Sequence, residues 1–216
     1  MIIDLSHPIH EGMRTYPGLP GPKITTHLSR AESRSRYTDG VEFHIGRINM
    51  VANTGTYLDA PFHRYPDGAD TAGIPLEQVV DVAGVVCTAE PEGEIGPEIL
   101  DGTEVAGKAV LFRTGWDGRW GTDDYFGESH PYLGRELVDR LTTLAPAVVG
   151  IDSVNIDAMS DKARPAHSLL LAAGIPLVEH LRGLDRLPAR GFRFFAPPLA
   201  VHAFGTCSVR AFAIVD

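Results

Sequence analysis

The 216-residue chain is poor in cysteine, in positive charge and in long apolar runs. Its two cysteines, Cys87 and Cys207, make neither a disulfide framework nor a zinc knuckle, and they suit a reducing compartment. Cys87 lies in the apolar run GVVCTA and reads as a small core residue, while Cys207, in GTCSVRA, leaves a nucleophilic thiol open. No run of about 18 apolar residues occurs, so no membrane span is expected. The opening MIIDLSHP has no basic segment leading into an apolar one, so no secretory signal is expected. Lysine and arginine total 19 against 28 aspartates and glutamates, a formal charge of −9 without a basic stripe, which argues against a nucleic-acid partner. The densest basic stretch, RGLDRLPARGFRF at 182–194, spaces its arginines and reads as a solvated rim. The expectation is a cytoplasmic protein with a small-molecule substrate, no nucleic acid and no membrane.

What the chain has in quantity is turn-forming residues. Its 23 glycines and 16 prolines are spread throughout, which predicts many short connections and no disordered linker. The length suits one domain spanning residues 1–216. KITTHLSR (23–30) and EFHIGRINMVAN (42–53) read as strands, the latter with Phe43, Ile45, Ile48 and Met50 as candidate buried positions. PLEQVVD (75–81) reads as a helical turn, and GVVCTAE, KAVLFRTGW and AVVGID as buried strands. In 129–146, Leu133, Leu137, Leu141 and Leu144 line one helical face. A second helix follows ARPAH and stops at Gly174, before the strand IPLVEHL. Two strands joined by a hinge close the chain. Strands outnumber helices and partly alternate with them, so the fold class is α/β: a single β-rich mixed-sheet domain with flanking helices.

Chemistry concentrates in NTGTYLDAPFH, residues 53–63. On extended backbone, residues two apart share a face, which sets Asn53, Tyr57, Asp59 and His63 together and leaves Leu58, Ala60 and Phe62 opposite. Gly55 permits a sharp turn, and Pro61 holds Ala60 extended. The polar face offers a carboxylate and an imidazole for proton transfer or metal coordination; the competing reading is a polar turn in which Asp59 caps backbone N–H groups. A second cluster pairs His167, at the start of the helix, with Glu179 in the apolar strand after it. A glutamate there needs a partner, a metal or a shifted pKa; Arg164 and Arg182 are the candidate ion-pair partners. His44 and His202 read as strand residues, His130 and His180 as surface residues, and His7 as an organiser of the N-terminal loop. Trp116, Trp120, Tyr125 and Phe126 read as packing.

These segments together resemble the cyclase family of metal-dependent hydrolases, which includes bacterial kynurenine formamidases and isatin hydrolase. The family motif is H-x-G-T-H-x-D-x-P-x-H, matched here at Gly55, Thr56, Asp59, Pro61 and His63. IDLSHPIHEGM, YPG, LFRTGW, GID, PAH with a glutamate twelve residues on, and PPLAV…VRAFA extend the likeness over nearly the whole chain. The resemblance implies a cyclase-like (swivelling β/α/β) fold. It also implies a divalent metal at Asp59, His167 and Glu179, and His63 as acid/base. Assembly as a homodimer or homotetramer is implied as well.

Asn53 and Tyr57 stand where the family has its first two histidines. The remaining oxygen-rich set suits manganese or magnesium better than a His-rich zinc centre, and Asn53 is left to bind substrate. The implied activity is hydrolysis of an amide, lactam or lactone C–N or C–O bond, with water activated by the metal or by His63. Two alternatives stay open: a metal-independent cyclase or isomerase using Tyr57, His63 and Asp59, and a catalytically silent homologue that binds a small ligand.

Overall fold

The computed structural model describes residues 1–215. Its strands are β1 (Ile2–Asp4), β2 (Lys23–Leu28), β3 (Ile45–Asn49), β4 (Tyr57–Asp59), β5 (Val82–Thr88), β6 (Glu94–Ile95), β7 (Ala109–Arg113), β8 (Tyr132–Leu133), β9 (Val148–Ile151), β10 (Leu177–Glu179), β11 (Arg190–Phe195), β12 (Thr206–Ser208) and β13 (Phe212–Val215). Its α-helices are α1 (Arg30–Arg34), α2 (Arg135–Leu144) and α3 (Pro165–Ala172). Among the described residues, nine strands form one mixed sheet in the order β1-β13-β11-β5-β7-β9-β10-β4-β12. The central strands β5, β7, β9 and β10 run parallel, and the remaining neighbours pair antiparallel.

The central strands are apolar on both faces because both faces are covered. Ala109, Leu111, Val148 and Val178 enter one core, shared with Ile3, Phe194 and Ala213 where the sheet curls over itself. Val110, Phe112, Val149 and Ile151 enter the other, beneath Leu137, Leu141 and Leu170 of the two longer helices. Each such leucine contributes about 1.5–3 kcal/mol by leaving water. The expected α/β architecture is therefore present, with helices packed on one side of a β-rich sheet.

Several local expectations change. The helix anticipated over 129–146 is shorter: Tyr132–Leu133 pairs with Glu94–Ile95 as a small parallel sheet, and α2 begins after Gly134. The strand beginning at Lys23 stops at Leu28, because Ser29 and Glu32 form a capping box that opens α1. The C-terminal segment contains three strands, not two. His44 precedes β3 and His202 lies in a turn, so neither is a strand residue.

The clearest correction concerns β2 and β3. They form a separate two-stranded ribbon, and Phe43, Ile45 and Ile48 are 52%, 48% and 51% exposed, not buried; Met50 is partly buried. Ile24 lies opposite Ile48 across the ribbon and is also exposed. Ile45 and Ile48, three apart on one strand, point to opposite sides of the ribbon, and among the described residues neither is covered. No helix among the described residues is long and apolar enough to cross a membrane.

Candidate functional site

Strand β4 lies between β10 and β12, near one edge of the sheet. Register does the first assembly step: Tyr57 faces Glu179 on β10, and Asp59 faces Thr206 on β12. Leu58 and Ala60 enter the core, so Tyr57 and Asp59 point the other way, as the alternation predicts. The extended stretch is nevertheless shorter than expected. Gly55 has φ +67°, a turn that glycine makes without strain. After Ala60, Pro61 opens a 3-10 turn over Pro61–His63. That turn, rather than strand geometry, brings His63 back beside Asp59. It is closed from behind by Gly205, where an added Cβ would lie 2.5 Å from His63 Cα.

The second half of the site arrives with α3. Asp157 accepts hydrogen bonds from the Ala166 and His167 amides and so caps the helix from a distant loop. The same carboxylate accepts from His167 Nδ1 at 2.6 Å, which leaves Nε2 directed at Asp59 Oδ2 and Glu179 Oε2, 3.7 and 3.8 Å away. Glu179 also accepts from the Tyr57 hydroxyl at 2.7 Å and from the Ile156 amide at 2.6 Å. It makes no ion pair with Arg164 or Arg182 among the described residues.

His63 is the exposed member of the group. Thr206 Oγ1 donates its hydroxyl proton to Asp59 Oδ1. His63 Nδ1, 2.8 Å from Thr206 Oγ1, must then act as the donor to that hydroxyl. That relay fixes the tautomer and leaves the His63 Nε2 lone pair free. His63, Tyr57, His167, Glu179 and Asn53 line one cavity of about 150 Å³, with Asn155, Arg164, Tyr16 and Leu19. Asn53 lines the cavity beside the Tyr57 phenol.

The electrostatics separate the two carboxylates. Burial would raise Asp59, but His167, His63 and Thr206 outweigh it and hold the group below its usual range. Burial raises Glu179, and the His167 charge offsets this only in part. Burial also opposes charge on His167, yet Glu179, Asp157 and Asp59 together push that imidazole up to about 10. Tyr57 rises well above 10 through burial and the neighbouring Glu179 and Asp59 charges, so it is a neutral phenol at physiological pH.

The donor set fits a divalent cation in one respect: Asp59 Oδ2 is buried without a hydrogen-bond partner, and it converges with His167 Nε2 and Glu179 Oε2. Ligand atoms around a tetrahedral ion with bonds near 2.1 Å stand roughly 3.4 Å apart, close to the separations here. Asp59, His63 and His167 also meet within 4.8 Å through one donor atom each.

Sequence reasoning missed Asp157, Thr206 and Asn155. The first has a legible trace in SVNID (153–157), which sets two Asx residues two apart directly after a buried strand. Thr206 has none, since one threonine in a strand carries no distinguishing pattern. His130 and His180 were expected at the surface, but both are buried. His130 contacts the Pro131 carbonyl, Ser153 and the Met159 amide, and His180 donates to the Val154 carbonyl. Cys207 is buried opposite Leu58, away from the polar face. Trp116, Trp120, Tyr125 and Phe126 pack together as anticipated, with His7 stacked 3.8 Å from Trp120.

The family described as "Putative cyclase" matches residues 3–158. A kynurenine formamidase of Bacillus cereus is 28% identical over 210 residues, 97% of this chain and 95% of the relative. Isatin hydrolase A from Labrenzia aggregata, solved with benzyl benzoate, superposes with a TM-score of 0.85 at 26% identity, covering 100% of this chain and 93% of that one. A structure described as a potential metal-dependent hydrolase with cyclase activity superposes with a TM-score of 0.79 at 26% identity, over 99% of this chain and 96% of that one. The matched segment holds β4 with Tyr57 and Asp59, and the likeness to the solved structures runs on through α3 and β10: the chain belongs to the cyclase family.

Proposed function

We propose that the protein hydrolyses an amide, lactam or lactone bond of a small carbonyl compound. One observation carries this reading: a histidine with a free Nε2 shares a cavity with Glu179, Tyr57 and a second histidine already fixed by Asp157. His63 Nε2 takes a proton from water as the water attacks the carbonyl carbon. The resulting imidazolium is stabilised through Nδ1–H, Thr206 and the ionised Asp59. The carbonyl oxygen gains negative charge, and the C–N or C–O bond then breaks as His63 returns the proton to the leaving atom. Tyr57 acts as a neutral donor to Glu179, and Asn53, in the cavity lining, meets the substrate.

Asp59, His167 and Glu179 would hold a divalent metal, manganese in preference to zinc because two of three donors are carboxylates. Such an ion supplies Lewis-acid polarisation of the carbonyl. A metal-independent cyclase or isomerase is the second reading, favoured by the raised His167 imidazole, which sets a positive charge of the chain's own between the two carboxylates.

The test is turnover of aryl formamides, lactams and lactones before and after chelation, with elemental analysis of the purified protein. His63→Ala is expected to lower kcat by about 10²–10⁴-fold with the melting temperature unchanged. Turnover unaffected by that substitution removes His63 from the mechanism. Chelator-resistant turnover selects the second reading, and saturable binding without turnover selects a silent homologue.

We also propose a homo-oligomer, dimer or tetramer, joined through the β2–β3 ribbon. A lone two-stranded ribbon is marginal in water, and this one exposes Ile24, Phe43, Ile45 and Ile48. A cytoplasmic setting accords with the free thiols of Cys87 and Cys207.

A further inference from the structure

The cavity around His63 contains one arginine or lysine, Arg164. It is partly buried, and among the described residues it makes no ion pair. Its side-chain partner is the Asn155 amide oxygen, 2.7 Å from Nη1. Surface arginines of the same chain, such as Arg135 and Arg140, are matched with carboxylates. A guanidinium offers five N–H donors, and Arg164 spends one of them on a neutral acceptor. Only part of the group is withdrawn from water, so its remaining donors are open to whatever enters the cavity.

Asn155 points the same way. Its Oδ1 accepts from both Arg164 and the Asp157 amide. Those two donors fix which end of the amide is oxygen, and they leave the Nδ2 hydrogens without a partner among the described residues. Asn155 lines the cavity too. The cavity therefore presents, beside its reacting centre, a cation and a neutral amide N–H₂, both short of acceptors. A carboxylate accepts from a guanidinium through two oxygens in one plane and has lone pairs left for an amide donor.

We propose that the substrate carries a carboxylate, and that Arg164 with Asn155 binds it. This rests on the hydrolase reading of the same site and narrows it to small amides or lactams bearing an acid group. The chain's formal charge of −9, with Asp59 and Glu179 in the centre, would repel an anionic substrate, so a local cation is needed to admit one. At about 150 Å³ the cavity is smaller than the roughly 300–1,000 Å³ of drug-sized sites. Arg164 and His63 line the same small cavity, which places the acid group near the reacting carbonyl in the substrate.

The test uses equilibrium binding of benzoate and of nitrobenzene, its neutral isostere, to the full-length protein by calorimetry. Neither probe is hydrolysed, so the readout is independent of turnover. The wild-type protein is expected to prefer benzoate by about 10- to 100-fold, a preference that weakens with added salt. Arg164 has φ +50°, so Arg164→Asn is the chosen substitution, since asparagine tolerates that backbone. It is expected to bring the ratio to about one, with Arg164→Lys intermediate because the charge survives and the planar fork does not. Asn155→Asp places a carboxylate against the guanidinium and is expected to abolish the preference in the same way, which guards against a misfolded position-164 variant. A wild-type ratio near one, or a benzoate preference that survives both Arg164→Asn and Asn155→Asp, overturns the proposal. Aryl formamide hydrolysis without a benzoate preference would overturn this assignment alone. A preference lost with Arg164, in a protein that hydrolyses nothing, would overturn the hydrolase reading alone.

Discussion

Strands β4, β10 and β12 bury polar side chains, while the β2–β3 ribbon exposes apolar ones. Asp59, Glu179 and Thr206 are 0%, 1% and 3% exposed, whereas Ile24 and Ile48 are 42% and 51% exposed. Each region inverts the usual partition, and each does so for want of something outside the fold. The buried carboxylates have one another, two histidines and a cavity, so their cost is met by local donors and by whatever enters. The ribbon has no such internal compensation, and a second copy of the chain is proposed to complete it. Inverted burial alone therefore does not tell a ligand site from a docking surface. The chemistry of the uncovered groups does.

Three variants would break or sharpen that contrast. The largest effect is expected from Ile24→Lys with Ile48→Lys, which sets two charges side by side on the ribbon. Sedimentation should show dissociation to a monomer with chemical-denaturation stability of that monomer nearly unchanged; an unaltered species assigns assembly to another surface. Tyr57→Phe should act oppositely, leaving assembly alone. It removes the hydroxyl from buried Glu179 and is expected to lower stability by about 1–3 kcal/mol, read from urea unfolding. A loss well below this would mean that Glu179 finds another donor.

The smallest effect concerns pH. Burial, with the charges of His180 and Arg182, depresses His7 to about 3. The unfolded chain then binds a proton at this residue below about pH 6.5 that the folded chain refuses, so stability falls as pH falls through that window. His7→Phe keeps a ring against Trp120 and removes the proton. Its stability should decline less steeply between about pH 6 and 4, by about 1.4 kcal/mol per pH unit. Parallel curves for the two proteins would place the acid sensitivity elsewhere.

Much of the sheet was legible because its strands are short apolar runs bounded by glycine and proline, and apolar continuity requires two covered faces. The meeting of Asp59, His63, His167 and Glu179 was legible from the motif and its distant partner. What stayed hidden depends on tertiary placement. His180 sits beside Tyr57, Trp120 and Tyr125, and nothing in VEHL separates that environment from solvent. The ribbon's alternation was read correctly as a strand and wrongly as buried, because periodicity reports a face and not what covers it. Thr206 escaped notice because its role comes from register with Asp59.

Gly205 carries a consequence for how this centre is lost or kept. A single methyl there would collide with the main chain of His63 and push its ring out of place beside Asp59 and Thr206, although no ionisable group would have changed. Descendants of this chain can therefore fall silent through a packing lesion while every reactive side chain survives, and an inventory of such side chains would still pronounce them active.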